Sequence, residues 1–94
     1  MKRVAVTGLG VISPVGNDVP TFWNALCSGT CGIGPITKFD ATDYPVKLAA
    51  EVRVFDPRQY MEKLDILHSD VYTHFAMAAA CQAVADSGIA GTLD

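Results

Sequence analysis

Apolar and polar positions alternate with different periods in different parts of the chain. Val4, Ala5 and Val6 form an apolar run with no polar alternation. That run predicts a strand over Val4–Gly8 buried on both faces, as in a parallel sheet. Gly8, Gly10, Ser13, Pro14 and Gly16 follow as a loop whose backbone needs unusual freedom. Further on, Val52 and Val54 alternate with Glu51 and Arg53. A second strand is expected over Leu48–Phe55 with one face exposed. Ile33–Phe39 reads as a short extended piece interrupted by Gly34 and Pro35.

Two segments have helical spacing instead. In the first, Asn17 or Asp18 can cap free N–H groups, and Pro20 suits the first turn, where it removes no bond. Phe22, Trp23, Ala25, Leu26 and Cys27 supply its apolar face, and Gly29 supplies a left-handed end. Asp56-Pro57 starts a short helical turn through about Met61. The second helix runs from Asp70 to Ser87, capped by Ser69 or Asp70 and ended by Gly88. Tyr72, Phe75, Ala76, Ala79, Ala83 and Val84 form a wide stripe on it, which predicts burial on more than one side.

Composition narrows the class. The chain has 94 residues, 50% of them hydrophobic and 18% charged. It is therefore one domain or part of one, with an α/β core rather than disorder. A chain this short buries a limited share of its surface, so the apolar excess implies a partner surface outside these residues. The net charge of −3 and the scattered lysines and arginines exclude a nucleic-acid stripe. Lys2 and Arg3 precede an apolar stretch, but Thr7, Gly8, Gly10, Ser13 and Pro14 break it and no cleavage pattern closes it. No run is long enough to span a membrane. Cys27, Cys31 and Cys81 have no zinc-finger partners and read as reduced, buried thiols of a cytoplasmic protein.

Candidate chemistry is sparse. Thr7–Gly16 follows a predicted strand, yet Ser13 stands at the third glycine of a dinucleotide fingerprint and the helix starts late. A structural loop is expected, with no cofactor. His68 and His74 are six apart, on different helix faces, and read as solvated positions rather than a metal pair. Cys81 lies late in a long helix, far from its positive end, and Cys27 lies near a helix C-terminus. Neither is placed to be a nucleophile.

The order of segments carries more than any one of them. Val4–Gly16, Trp23 with Leu26, Gly29, Gly32 and Ile33, Phe39-Asp40, Tyr44-Pro45, Ala49–Val52, Phe55–Pro57 and Ala85–Gly88 resemble the start of the β-ketoacyl-[acyl carrier protein] synthases. These are condensing enzymes of the thiolase-like superfamily. The resemblance covers residues 1–94 and implies a partial N-terminal domain of that family. The implied fold is α/β: an incomplete part of two mixed five-stranded sheets layered with helices, in a protein that at full length forms a homodimer or pairs with a related synthase subunit.

The resemblance also implies decarboxylative condensation in fatty-acid elongation, with acyl carrier protein as partner and no metal or redox cofactor. The family's catalytic Cys and two His are expected beyond Asp94. No residue of this chain inherits a catalytic role, and the chain alone is expected to be inactive. Relatives that bind an acidic carrier protein carry Lys and Arg before the long helix. Here Lys63 and His68 remain as partner-binding candidates, Val71 stands where Arg is common, and weaker steering of an acidic partner follows. Two alternatives stand beside this. One is a non-catalytic polyketide chain-length-factor subunit; the other is a truncated remnant with exposed apolar surface.

Overall fold

The computed structural model describes residues 2–89. In chain order these hold α1 (Val19–Cys27), β1 (Ile33–Pro35), β2 (Leu48–Ala50), a 3₁₀ turn (Pro57–Gln59), α2 (Lys63–Leu67) and α3 (Val71–Ser87). The partial domain expected over residues 1–94 ends at Asp94, which lies outside the described residues.

Helix α1 forms where caps and composition agree. The Asp18 carboxylate accepts the Thr21 N–H at 2.8 Å, and Pro20 occupies the first turn. That bond holds the Asp18 carboxyl below its ordinary range. At the other end Gly29 has φ +70°, the Thr30 N–H reaches the Ala25 carbonyl at 2.9 Å and the Gly29 N–H reaches Leu26 at 3.2 Å. This double closure satisfies the last free carbonyls.

β1 and β2 pair antiparallel, with Ile33 opposite Ala50 and Pro35 opposite Leu48. Both strands are shorter than the sequence predicts. The expected strand Leu48–Phe55 stops at Ala50, and Val54 takes φ +52°, which no strand residue can hold. The loop between the strands is braced at both ends. The Glu51 carboxylate accepts the Thr37 hydroxyl at 2.9 Å and the Thr37 and Lys38 N–H groups. The Lys47 ammonium donates to the carbonyls of Thr42 at 2.7 Å and Tyr44 at 2.9 Å.

Val4–Gly8 is not a strand here. Among the described residues none pairs with it, and Val4 and Val6 are 94% and 79% exposed rather than buried on both faces. A strand exists only through a neighbour's hydrogen bonds, and no described strand lies beside this segment. The chain just beyond it docks on α3 instead. The Leu9 N–H reaches Asp86 and the Val11 N–H reaches Gln82, each at 3.0 Å. Gly8 and Gly10 serve this approach, not an unusual backbone angle. A methyl group on Gly10 would overlap the Ala79 carbonyl oxygen, and one on Gly8 the Ala83 carbonyl oxygen.

Helix α3 ends as expected, with Gly88 at φ +72°. Asp70 is its N-cap but makes no side-chain cap bond, and the Ser69 hydroxyl turns back to the Asp65 carbonyl. The wide apolar stripe is not buried on several sides. Of the whole helix only His74 and Ala78 are buried; within the stripe Phe75, Ala79 and Ala83 are half-buried, while Tyr72, Ala76 and Val84 face outward. The described residues pack against one side alone. The thiols also depart from expectation: all three are free, but Cys27 and Cys31 are exposed and Cys81 half-buried.

The molecule is an open shell. Its radius of gyration is 16.4 Å, against about 12 Å for a compact domain of this length. Its accessible surface is 7407 Å², against roughly 5,200 Å² for a folded monomer of 10.0 kDa. Large apolar side chains contribute to it, Val4, Val6, Val54, Leu64, Leu67 and Tyr72 among them, in keeping with the apolar composition.

Candidate functional site

The residues between the 3₁₀ turn and α3 form the surface that carries Lys63 and His68. An aromatic cluster supports it. The Phe55 ring stacks on Tyr60 at 6.2 Å and meets Phe75 edge-on at 5.1 Å. The Tyr60 hydroxyl in turn accepts the Gln82 amide N–H at 3.2 Å. Asp56 starts the 3₁₀ turn by accepting the Arg58 N–H at 3.0 Å.

Helix α2 has five residues, too few to persist by propensity. Tertiary bonds hold it. The Ile66 carbonyl oxygen lies 3.2 Å from His74 Nε2, which ties α2 to α3. His74 is 9% exposed, so the solvated position expected for it is wrong. A buried imidazole needs a polar partner, and the helix carbonyl provides one. His68 is exposed and closes α2, its N–H on the Leu64 carbonyl at 3.1 Å.

Lys63 and His68 do not come together. Five helical positions turn them about 140° apart around the axis. His68 borders an open groove of about 450 Å³ that Tyr60, Met61, Glu62, Asp65 and Met77 also line, whereas Lys63 does not. The charge around them is acidic: Glu62, Asp65 and Asp70 are exposed beside one lysine. Arg58 adds little positive field. Its guanidinium is forked onto Asp56 with both contacts at 3.0 Å, which lowers the Asp56 carboxyl and raises the guanidinium.

Sequence reasoning missed α2, Tyr60 and Gln82. Gln82 had a usable signal, because a lone amide in an alanine-rich helix needs partners once it packs. The Thr7–Gly16 loop holds no ligand cradle at its first glycines, since Gly8 and Gly10 lie against the α3 backbone. Among the described residues no group of three or more His, Cys, Asp or Glu could hold a metal ion.

The family described as Beta-ketoacyl synthase, N-terminal domain matches residues 1–93. The chain belongs to the β-ketoacyl synthase family. It is 50% identical over 88 residues to a 3-oxoacyl-[acyl-carrier-protein] synthase 2 of Coxiella burnetii, covering 94% of this chain and 21% of that protein. It is 40% identical over 86 residues to a putative polyketide beta-ketoacyl synthase 2 of Streptomyces coelicolor, covering 92% and 20%. Among solved structures, the ishigamide ketosynthase/chain length factor aligns with a TM-score of 0.80 at 35% identity, covering 88% of this chain and 21% of that one. This β-ketoacyl synthase chain thus spans about a fifth of the length of the relatives it matches. Its mixed helix and strand arrangement follows a portion of a ketosynthase/chain length factor chain. Among the described residues no helix is long and apolar enough to cross a membrane.

Proposed function

We propose that this chain is the N-terminal portion, residues 1–94, of a 3-oxoacyl-[acyl carrier protein] synthase whose catalytic Cys and two His follow Asp94. The family match across residues 1–93 carries the proposal. In the reaction of such an enzyme, malonyl-acyl carrier protein loses CO₂, and the resulting carbanion attacks the acyl thioester on a cysteine. The cysteine thiolate leaves, and the lengthened 3-oxoacyl group remains on the carrier. Hydrogen-bond donors from two histidines stabilise the developing negative charge. The complete fold would be two mixed five-stranded sheets layered with helices, in a cytoplasmic homodimer.

This chain's own residues supply scaffold, not chemistry. Cys81 sits in the second half of α3 and Cys27 ends α1, both away from the positive helix ends that stabilise a thiolate. His74 is engaged with the Ile66 carbonyl. The 94-residue chain alone is inactive in this proposal. Turnover of malonyl-acyl carrier protein by purified material of this length, abolished by a thiol reagent, would refute it.

The likeness to the ishigamide ketosynthase/chain length factor favours a second reading, a non-catalytic chain-length-factor subunit. The two differ in the residue at the nucleophile position. Intact mass and the sequence of the native product decide between them. A cysteine there with two later histidines supports the synthase, and its replacement supports the chain-length factor.

A further inference from the structure

We infer that His74 latches a conditional helix: one imidazole N–H holds α2 wound, and without it the segment opens into a strap between two fixed ends. The last carbonyls of a helix lack partners within it. At the end of α2 two of them are taken by side chains from beyond the helix. Asp65 is bonded by the Ser69 hydroxyl, and the Ile66 oxygen lies 3.2 Å from His74 Nε2. Ser69 is four residues on, so its bond closes a local turn and does not tie α2 to α3. The His74 bond spans eight residues and fixes α2 against the long helix. At the front end of α2, Glu62 makes no side-chain cap bond.

The acceptor decides the state of the ring. A carbonyl oxygen offers no proton, so Nε2 must carry one. His74 is 9% exposed. Further polypeptide adds cover and removes none, so the ring needs this partner in the complete protein as well. Both flanks of α2 are anchored independently of the latch. The Tyr60 hydroxyl accepts the Gln82 amide N–H at 3.2 Å, and the Thr73 and His74 backbone N–H groups reach the Asp70 carbonyl at 3.0 and 3.2 Å. The residues between Tyr60 and Asp70 can therefore unwind without moving either anchor. Five residues gain too little from propensity to stay helical by themselves. Local opening of such a segment costs far less than global unfolding. His74 is thus a positioning residue, and what it positions is the α2 backbone.

The test uses the complete native polypeptide that carries these residues, as wild type, His74→Gln and His74→Leu. NMR of isotope-labelled histidine nitrogens reads the ring, and amide hydrogen exchange reads the segment. Nε2 of His74 is expected to carry a proton in the wild type. His74→Leu removes the donor, and exchange at the Ile66 and His68 amides should rise about tenfold, as loss of one ordinary hydrogen bond gives. Amides of residues 79–84 keep their protection. A glutamine carries its amide N–H the same number of bonds from Cα as Nε2, so His74→Gln should stay within about twofold of wild type. An unprotonated Nε2 overturns the inference, and so does wild-type exchange in His74→Leu. His74→Gln exchanging as fast as His74→Leu also overturns it, because ring packing rather than the N–H would then hold α2. A rise that extends equally through residues 79–84 does the same, because His74 would then support the whole of α3 and latch nothing.

Discussion

The Gln82 amide oxygen accepts the Val11 N–H at 3.0 Å, across 71 residues of sequence. The same amide donates to the Asn17 carbonyl at 2.6 Å and to the Tyr60 hydroxyl at 3.2 Å. One side chain thus joins the N-terminal loop, the entry to α1, the 3₁₀ turn and α3. In a shell with so little core, such a junction replaces packing that a closed domain would supply.

Gln82→Leu removes both the donor and the acceptor and leaves the Val11 N–H and Asn17 carbonyl partly buried without a partner. The expected loss is about 2–3 kcal/mol, read from urea unfolding. Gln82→Glu keeps the acceptor for the Val11 N–H but turns a carboxylate oxygen toward the Asn17 carbonyl oxygen, so it should also destabilise at neutral pH. Equal stability of Gln82→Leu and wild type would show that the junction does not hold the shell together.

Gly10→Ala places a methyl on the Ala79 carbonyl oxygen, a backbone atom that cannot swing away. The loop must lift from α3, breaking the Val11–Gln82 bond. A loss of at least about 2 kcal/mol is expected, with faster amide exchange at Val11. Gly29→Ala meets nothing within 4 Å but keeps φ +70°, so only the backbone penalty of about 1–2 kcal/mol applies.

Val54 combines φ +52° with complete exposure, 101%. A β-branched residue pays a steric cost there and gains no burial in return. The Asn17 amide stabilises this corner by donating to the Arg53 carbonyl at 2.9 Å. Val54→Gly should raise stability by about 1 kcal/mol, measured as a higher midpoint of thermal unfolding. A lower midpoint would mean that the Val54 side chain packs against something outside the described residues.

Glu51 sets a pH dependence for the hairpin. Its carboxyl lies below the ordinary 4.5, chiefly because the Thr37 hydroxyl bonds the charged form. A depressed folded value means that the stabilisation is complete above pH 4.5 and fades as pH falls below it, through the folded value. Thr37→Val removes the hydroxyl and should flatten that acid loss. Unfolding midpoints of the two proteins across this window provide the check, and parallel curves would rule the brace out.

Local signals were written in the sequence where a residue acts on its own neighbours. Asp18 before Pro20, Gly29 after α1, Asp56 before Pro57 and Gly88 after α3 each bond or bend within four residues. Caps and left-handed ends depend on backbone sterics alone, so the sequence by itself determined them. It also determined the family, through the order of segments from Val4 to Gly88. What only the tertiary structure decided involves partners distant in sequence. Val4–Gly8 carries a strand pattern, yet no described strand stands beside it. The apolar stripe of α3 predicted several buried sides, yet neighbours cover one. His74 looked solvated until the Ile66 carbonyl met its ring. The five residues of α2 carry too little propensity to declare a helix, and contact with α3 makes one. Periodicity states which face a segment could bury, but burial itself requires a second surface, and only the three-dimensional arrangement shows whether that surface is there.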